Sequence, residues 1–121
     1  DKPIQFGVKK FCNICNICAK ECPVKAIPYG APSEISYNQS NIIGVRKWSV
    51  DGEKCFSFWT AQNSDCSICI RVCPFNKDYS KWINRLGLKL AGTWLRQIIL
   101  WLDVKLGYGN RQKSSTWWSK K

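Results

Sequence analysis

Cys12-Asn-Ile-Cys15-Asn-Ile-Cys18-Ala-Lys-Glu-Cys22-Pro23 is answered further along by Cys55 and then Cys66-Ser-Ile-Cys69-Ile-Arg-Val-Cys73-Pro74. All eight cysteines fall in these two runs, and each run closes on Cys-Pro. A C-x2-C-x2-C-x3-C-P run is the pattern of a cubane iron–sulfur site whose fourth cysteine ligates a second cluster. The three closely spaced thiolates cap one cube, and the x3 offset sends the fourth toward the other. Cys12, Cys15, Cys18 and Cys73 are therefore expected to hold one [4Fe-4S] cluster, and Cys22, Cys55, Cys66 and Cys69 the second. Such a pair serves stepwise electron transfer.

Other uses of eight cysteines fit less well. A disulfide framework suits a short exported chain, but it does not explain thiols crowded three to seven residues. Zinc sites favour separated C-x2-C pairs or mixed Cys/His sets, and the chain has no His. A redox C-x-x-C needs one pair only. Iron–sulfur ligation employs every cysteine and both terminal prolines.

Working outward, residues 1–11 alternate Ile4, Phe6 and Val8 with polar or small residues, which predicts a half-buried strand. The first cysteine run should wrap its cluster as a loop with a helical turn near Cys18–Glu21, ended by Pro23. Val24, Ala26 and Ile27 read as a short strand. Residues 28–44, rich in Pro, Gly, Ser and Asn, read as loop. A strand over Ile42–Val50 then leads to an Asp51-Gly52 turn. Ten residues separate Cys55 from Cys66, where a plain ferredoxin run has two. Ser64 and Asp65 are expected to cap a helical turn carrying Cys66, Cys69 and Cys73.

After Pro74 the pattern becomes helical. Trp82, Ile83, Leu86 and Leu90 share one face over 78–90, with Asp78 as the expected cap. Trp94, Leu95, Ile98, Ile99 and Leu102 share another over 93–106, which Gly107 and Gly109 should end. The charge-free run Gln97–Leu102 is far short of the ~20 residues a membrane span needs. The tail ends with Trp117-Trp118. This divides the chain into 1–77, an α+β, ferredoxin-like double-cluster domain, and 78–121, a helical C-terminal extension.

The chain is 121 residues long, with 19 basic and 8 acidic side chains and a net charge of +11. Two clusters with four thiolates each would lower this to roughly +7. The basic residues are dispersed rather than clustered, so a solvated basic surface is the expectation and nucleic acid is not an expected partner. The chain starts at Asp1 and contains no Met, so a fragment or processed form is expected.

The stretches FGVKKFCNICNICAKECPVKAI, Arg46-Lys47-Trp48-Ser49-Val50-Asp51-Gly52-Glu53-Lys54-Cys55, CFSFW and SDCSICIRVCPFNK resemble the C-terminal part of corrinoid-dependent reductive dehalogenases, over roughly residues 3–80. The resemblance implies an oxidoreductase module that relays single electrons to a cobalamin, which removes halide from an organohalide such as a chlorinated ethene. It further implies a corrinoid domain in the same polypeptide, against which 78–121 packs. Twin-arginine export, a membrane-associated location on the outer face of the cytoplasmic membrane, a small membrane-anchor protein and a membrane electron donor also follow from it. No residue of this chain is expected to be catalytic. Trp59 is the candidate cofactor-binding residue, as the wall of an apolar pocket above the corrinoid; with Phe56 and Phe58 it can instead shield a cluster from water. Two rivals stand beside this reading: a free-standing ferredoxin-type carrier, and a fragment of an epoxyqueuosine-reductase-like enzyme. The first has no use for two Trp-rich helices unless they fold back on it, and the second family continues into helical repeats.

Overall fold

The computed structural model describes residues 6–111, 113, 115, 116 and 119. Among the described residues there are six helices: α1 Val8–Cys15, α2 Ile17–Glu21, α3 Gly52–Gln62, α4 Ile68–Arg71, α5 Trp82–Ala91 and α6 Arg96–Leu106. The helical half of the expected α+β class is present. The strand half is reduced, among the described residues, to one antiparallel bridge between Ser33 and Lys47. Ile4 lies outside the described residues, as do Trp117 and Trp118.

The first cysteine run is helical where a loop was expected. Gly7, at φ 77°, takes the left-handed conformation that glycine tolerates, and its carbonyl accepts from Phe11 N–H at 3.1 Å. Val8 therefore belongs to a helix and not to a strand. Asn16, at φ 49°, ends α1 and starts α2. Asn is the side chain other than glycine most at ease in this region, so it can bend the chain between two cysteine-bearing helices. Cys22 then leaves the helix at φ −66°, ψ 118°, because the following Pro23 disfavours a helical residue before it.

Residues 23–51 are fastened by isolated hydrogen bonds, those of the Ser33–Lys47 bridge among them, and not by a sheet. Asp51 N–H donates to Ala26 O at 2.8 Å, and the Trp48 indole N–H donates to Gly30 O at 2.7 Å. The strands expected at 24–27 and 42–50 are absent because neither segment finds a partner to pair with along its length. Ile42 and Ile43 are exposed. Asp51-Gly52 opens a helix and not a hairpin: the Asp51 carboxylate accepts from Lys54 N–H at 3.1 Å, an N-cap for α3. Residues 56–62 of the insertion thus form the C-terminal part of α3. Ser67, not Ser64 or Asp65, precedes α4, which carries Cys69 alone of the expected three.

The extension starts its first helix later than expected. Asp78 accepts from Ser80 N–H at 2.9 Å, and α5 begins at Trp82. Likewise α6 begins at Arg96 and ends at Gly107, φ 67°. The two helices pack on each other, and α6 also packs on α1. Gly7, before α1, and Gly92, at the end of α5, also approach closely: a Cβ on Gly7 would stand 2.5 Å from the Gly92 Cα. Asp103, 6% exposed, is ion-paired with Lys77, whose ammonium also lies 4.5 Å from the Tyr108 ring centroid. Arg71 donates to Gly109 O at 2.8 Å.

The hydrophobic core is small. Among the described residues, Phe11, Ala19, Cys22, Ala26, Val72 and Ala91 make up the buried apolar set, and Phe11 is its one large side chain. Around it, Phe75 lies 4.9 Å from Phe11 and 5.5 Å from Phe6, centroid to centroid, in tilted and edge-on contacts.

Candidate metal centres

Two cavities are each lined by four thiols. The first, of about 120 Å3, is lined by Cys12, Cys15, Cys18 and Cys73 together with Phe11, Asn16, Ala19, Pro28, Trp48, Pro74 and Phe75. The second, of about 60 Å3, is lined by Cys22, Cys55, Cys66 and Cys69 with Val24, Ala26, Ile27, Val50, Phe58 and Ile68 among its walls. The last cysteine of each run thus sits with the first three of the other. None of the eight is in a disulfide.

Local structure explains the crossing. Cys12 and Cys15 are one turn apart on α1, and Cys18 follows on α2 beyond the bend at Asn16. Cys22 lies past the end of α2, in extended backbone, and so turns to the other side. Cys69 on α4 and Cys73 beyond it repeat the arrangement.

Electrostatics follow this grouping at Cys12, Cys15 and Cys55. Burial pushes the Cys12 thiol up, and repulsion from Cys73 and Cys18 adds to it. Burial lifts Cys15 from 9.0 to about 11, with an opposing hydrogen bond from Ile17 N–H and further repulsion from Cys12, Cys18 and Cys73. Cys18 is raised first by burial, against a bond from Ala19 N–H, and it feels both Cys73 of its own set and Cys69 of the other. In the second cavity Cys55 is raised by burial, then by Cys22, Cys66 and Cys69. Four thiolates facing one another in an apolar hollow are unfavourable unless a cationic core compensates them. The Ala26 N–H, 3.3 Å from Cys22 Sγ, is a further donor to sulfur.

The donor chemistry fits a cluster better than a lone ion. Among the described residues no three His, Cys, Asp or Glu side chains stand close enough to share one metal ion. In a cubane each thiolate binds a different iron, so the four sulfurs stand further apart than around a single tetrahedral ion.

The aromatics of the insertion divide. Phe58 lines the second cavity, whereas Phe56 is 63% exposed, its ring 6.4 Å from that of the partly exposed Trp59. Neither Phe56 nor Trp59 lines a thiol cavity. The sequence reading missed four wall residues: Phe11, Asn16, Trp48 and Phe75. Phe11 and Phe75 were open to discovery, since each directly flanks a Cys or Cys-Pro. Trp48, thirty residues from the nearest member of its cavity's first run, had no such signal.

A family model described as a 4Fe-4S double cluster binding domain matches residues 11–76. The tetrachloroethene reductive dehalogenase of Sulfurospirillum multivorans is 37% identical over 124 residues, covering 100% of this chain and 24% of that protein. A tetrachloroethene reductive dehalogenase of Desulfitobacterium hafniense is 41% identical over 81 residues, 64% of this chain and 15% of that protein. The trichloroethene reductive dehalogenase of Dehalococcoides mccartyi is 31% identical over 123 residues, 98% of this chain and 21% of that protein. The chain therefore spans at most about a quarter of the length of these relatives, and what it matches in them is their iron–sulfur portion.

Proposed function

Because this chain belongs to the family of 4Fe-4S double cluster binding domains, we propose that its thiols hold two [4Fe-4S] clusters crosswise and that it is the electron-transfer module of a reductive dehalogenase. The observation that carries the reading is the pair of four-thiol cavities, each completed by the last cysteine of the other run. When bound, such clusters supply one-electron couples close enough together for stepwise transfer.

The chain's own residues do the rest. Cys12, Cys15, Cys18 and Cys73 anchor the first cluster, and Cys22, Cys55, Cys66 and Cys69 the second. The N–H groups of Ile17, Ala19 and Ala26 donate to the sulfurs of Cys15, Cys18 and Cys22 and stabilise their negative charge. Phe11, Trp48 and Phe75 keep water from the first cavity, and Phe58 and Ile68 from the second.

In this reading the electrons go to a cobalamin held by another part of the same polypeptide, where halide is removed from an organohalide such as a chlorinated ethene. The names of the relatives support that destination. A membrane donor, a small anchor protein and placement on the outer face of the cytoplasmic membrane after twin-arginine export complete the proposal. No helix among the described residues is long and apolar enough to cross a membrane, so attachment through a partner suits the reading. Trp59, outside both cavity walls, is free to face the corrinoid side; Trp59→Ala in the whole enzyme should impair turnover with iron content intact, and unchanged kinetics would remove that role.

The docking of α5 and α6 on the module favours a second reading, a free-standing carrier. Against it stand Trp82, Trp94 and Trp101, large apolar side chains that are 73%, 80% and 57% exposed, more than a solitary protein has use for. Anaerobic reconstitution tests the shared core of both. About eight iron and eight sulfide per chain, with spin-coupled cubane signals after reduction, are expected; zinc or paired disulfides would overturn it.

A further inference from the structure

Three stretches far apart in sequence meet at the mouth of the first thiol cavity. Asn16 comes from the bend between α1 and α2, Pro28 from the loop that follows α2, and Trp48 from the far end of that loop. Two hydrogen bonds join them through Gly30. The Asn16 side-chain carbonyl accepts from Gly30 N–H at 2.9 Å, and Gly30 O accepts from the Trp48 indole at 2.7 Å. Both faces of one peptide segment are thus held by side chains that line the same cavity. The second cavity has neither Trp48 nor Asn16 in its wall.

The foot of this strap stands next to a ligand position. Asn16 takes φ 49°, and that bend aims the Ile17 N–H at the Cys15 sulfur. Its top, Trp48, is half-buried and lays an indole over an otherwise apolar hollow. Adding an electron to a cubane adds a negative charge, which water stabilises and an apolar wall does not. A side chain that excludes water from one cluster therefore holds down the potential of that cluster alone.

We propose that the Asn16–Gly30–Trp48 strap is a positioning device that keeps water from the Cys12/Cys15/Cys18/Cys73 cavity and so lowers the reduction potential of the cluster held there, independently of the other. The inference rests on the two-cluster reading above. Trp48 and Asn16 touch no reacting group; they act through the wall they build.

The test is an EPR-monitored redox titration of the cluster-loaded protein, with iron and sulfide counted on the same samples. Trp48→Ala, which removes the cover, should raise one midpoint by about tenfold in its one-electron equilibrium, about 59 mV. Trp48→Phe keeps a ring but loses the indole donor, and Asn16→Gly keeps the bend but loses the acceptor. Each should raise the same midpoint by a smaller amount, about two- to threefold. Phe58→Ala opens the second cavity and should move the other midpoint. Both midpoints unmoved in the strap variants, or both moved equally, would overturn the proposal. So would loss of one cluster's iron in Trp48→Phe and Asn16→Gly alike, since the strap would then be scaffold only. Failure of the unsubstituted protein to take up cubane clusters at all would be a different result, and would sink the two-cluster reading itself.

Discussion

The two thiol cavities share a donor set and a Cys-Pro corner, Cys73-Pro74 in one and Cys22-Pro23 in the other, and differ in the side chains that wall them. Around Cys12, Cys15, Cys18 and Cys73 the walls are aromatic: Phe11, Trp48 and Phe75, backed by the extension through the α1–α6 contact. Around Cys22, Cys55, Cys66 and Cys69 they are aliphatic, with Phe58 the one aromatic lining residue, carried on a helix with no buried residue of its own. Two runs that share only their Cys-x2-Cys-x3-Cys-Pro close thus leave the environment of each cavity open. The wall is written by residues outside the motif, and the wall is what a protein uses to tune a cluster.

The strongest way to break this contrast is Phe11→Ala. Phe11 is 1% exposed and packs on Phe75, and its removal should destabilise the cluster-loaded protein by about 3–5 kcal/mol. Anaerobic denaturant unfolding would measure it, and iron should be lost from the first cavity before the second. A smaller effect is expected from Lys77→Met, which leaves Asp103 buried without its ion-pair partner. The loss should be about 2–3 kcal/mol, below that for a fully buried pair because Lys77 keeps some contact with water. Limited proteolysis should then cut between the module and α5, while the second cavity stays intact.

Phe58→Ala sharpens the contrast from the other side. Its side chain is half-buried, so about 1–2 kcal/mol is expected, with faster iron release from the second cavity only. The least effect concerns pH. In the cluster-free protein burial holds Cys15 up at about 11 against 9.0, and raises Cys12 and Cys18 as well. A raised thiol favours the protonated fold: this contribution is complete below pH 9 and is lost as pH climbs through 11. Ligation requires the opposite, a thiolate. Iron uptake at the first cavity should therefore quicken as pH rises from 7 toward 9, by severalfold in stopped-flow absorbance.

The sets of four thiols that line each cavity are legible in the cysteine spacing, because the x3 interval and the following proline act locally; that each set ligates a cluster is the proposal. The helical turn at Cys18–Glu21 and the stop at Gly107 were legible for the same reason: local chemistry decides them. The strands were not. Ile42–Val50 holds the β-branched and aromatic residues of a strand, but such a segment forms one only when a neighbour pairs with it, and among the described residues only Lys47 finds Ser33. The same limit hid α3. Asp51-Gly52 suits a hairpin turn and an N-cap equally, and the outcome depends on the apolar run that follows being free to coil. Trp48 and Asn16 were hidden because their meeting at Gly30 is a contact between segments, which no local pattern announces.

Crosswise ligation is the claim on which the account depends, and paired Cys→Ser substitutions test it by counting iron. If Cys15 and Cys73 serve one cluster, the Cys15→Ser/Cys73→Ser protein should retain about four iron per chain, and Cys15→Ser/Cys22→Ser should retain almost none. The reverse, with about four iron kept by the Cys15/Cys22 pair and none by the Cys15/Cys73 pair, would mean that each run holds its own cluster and would contradict the account.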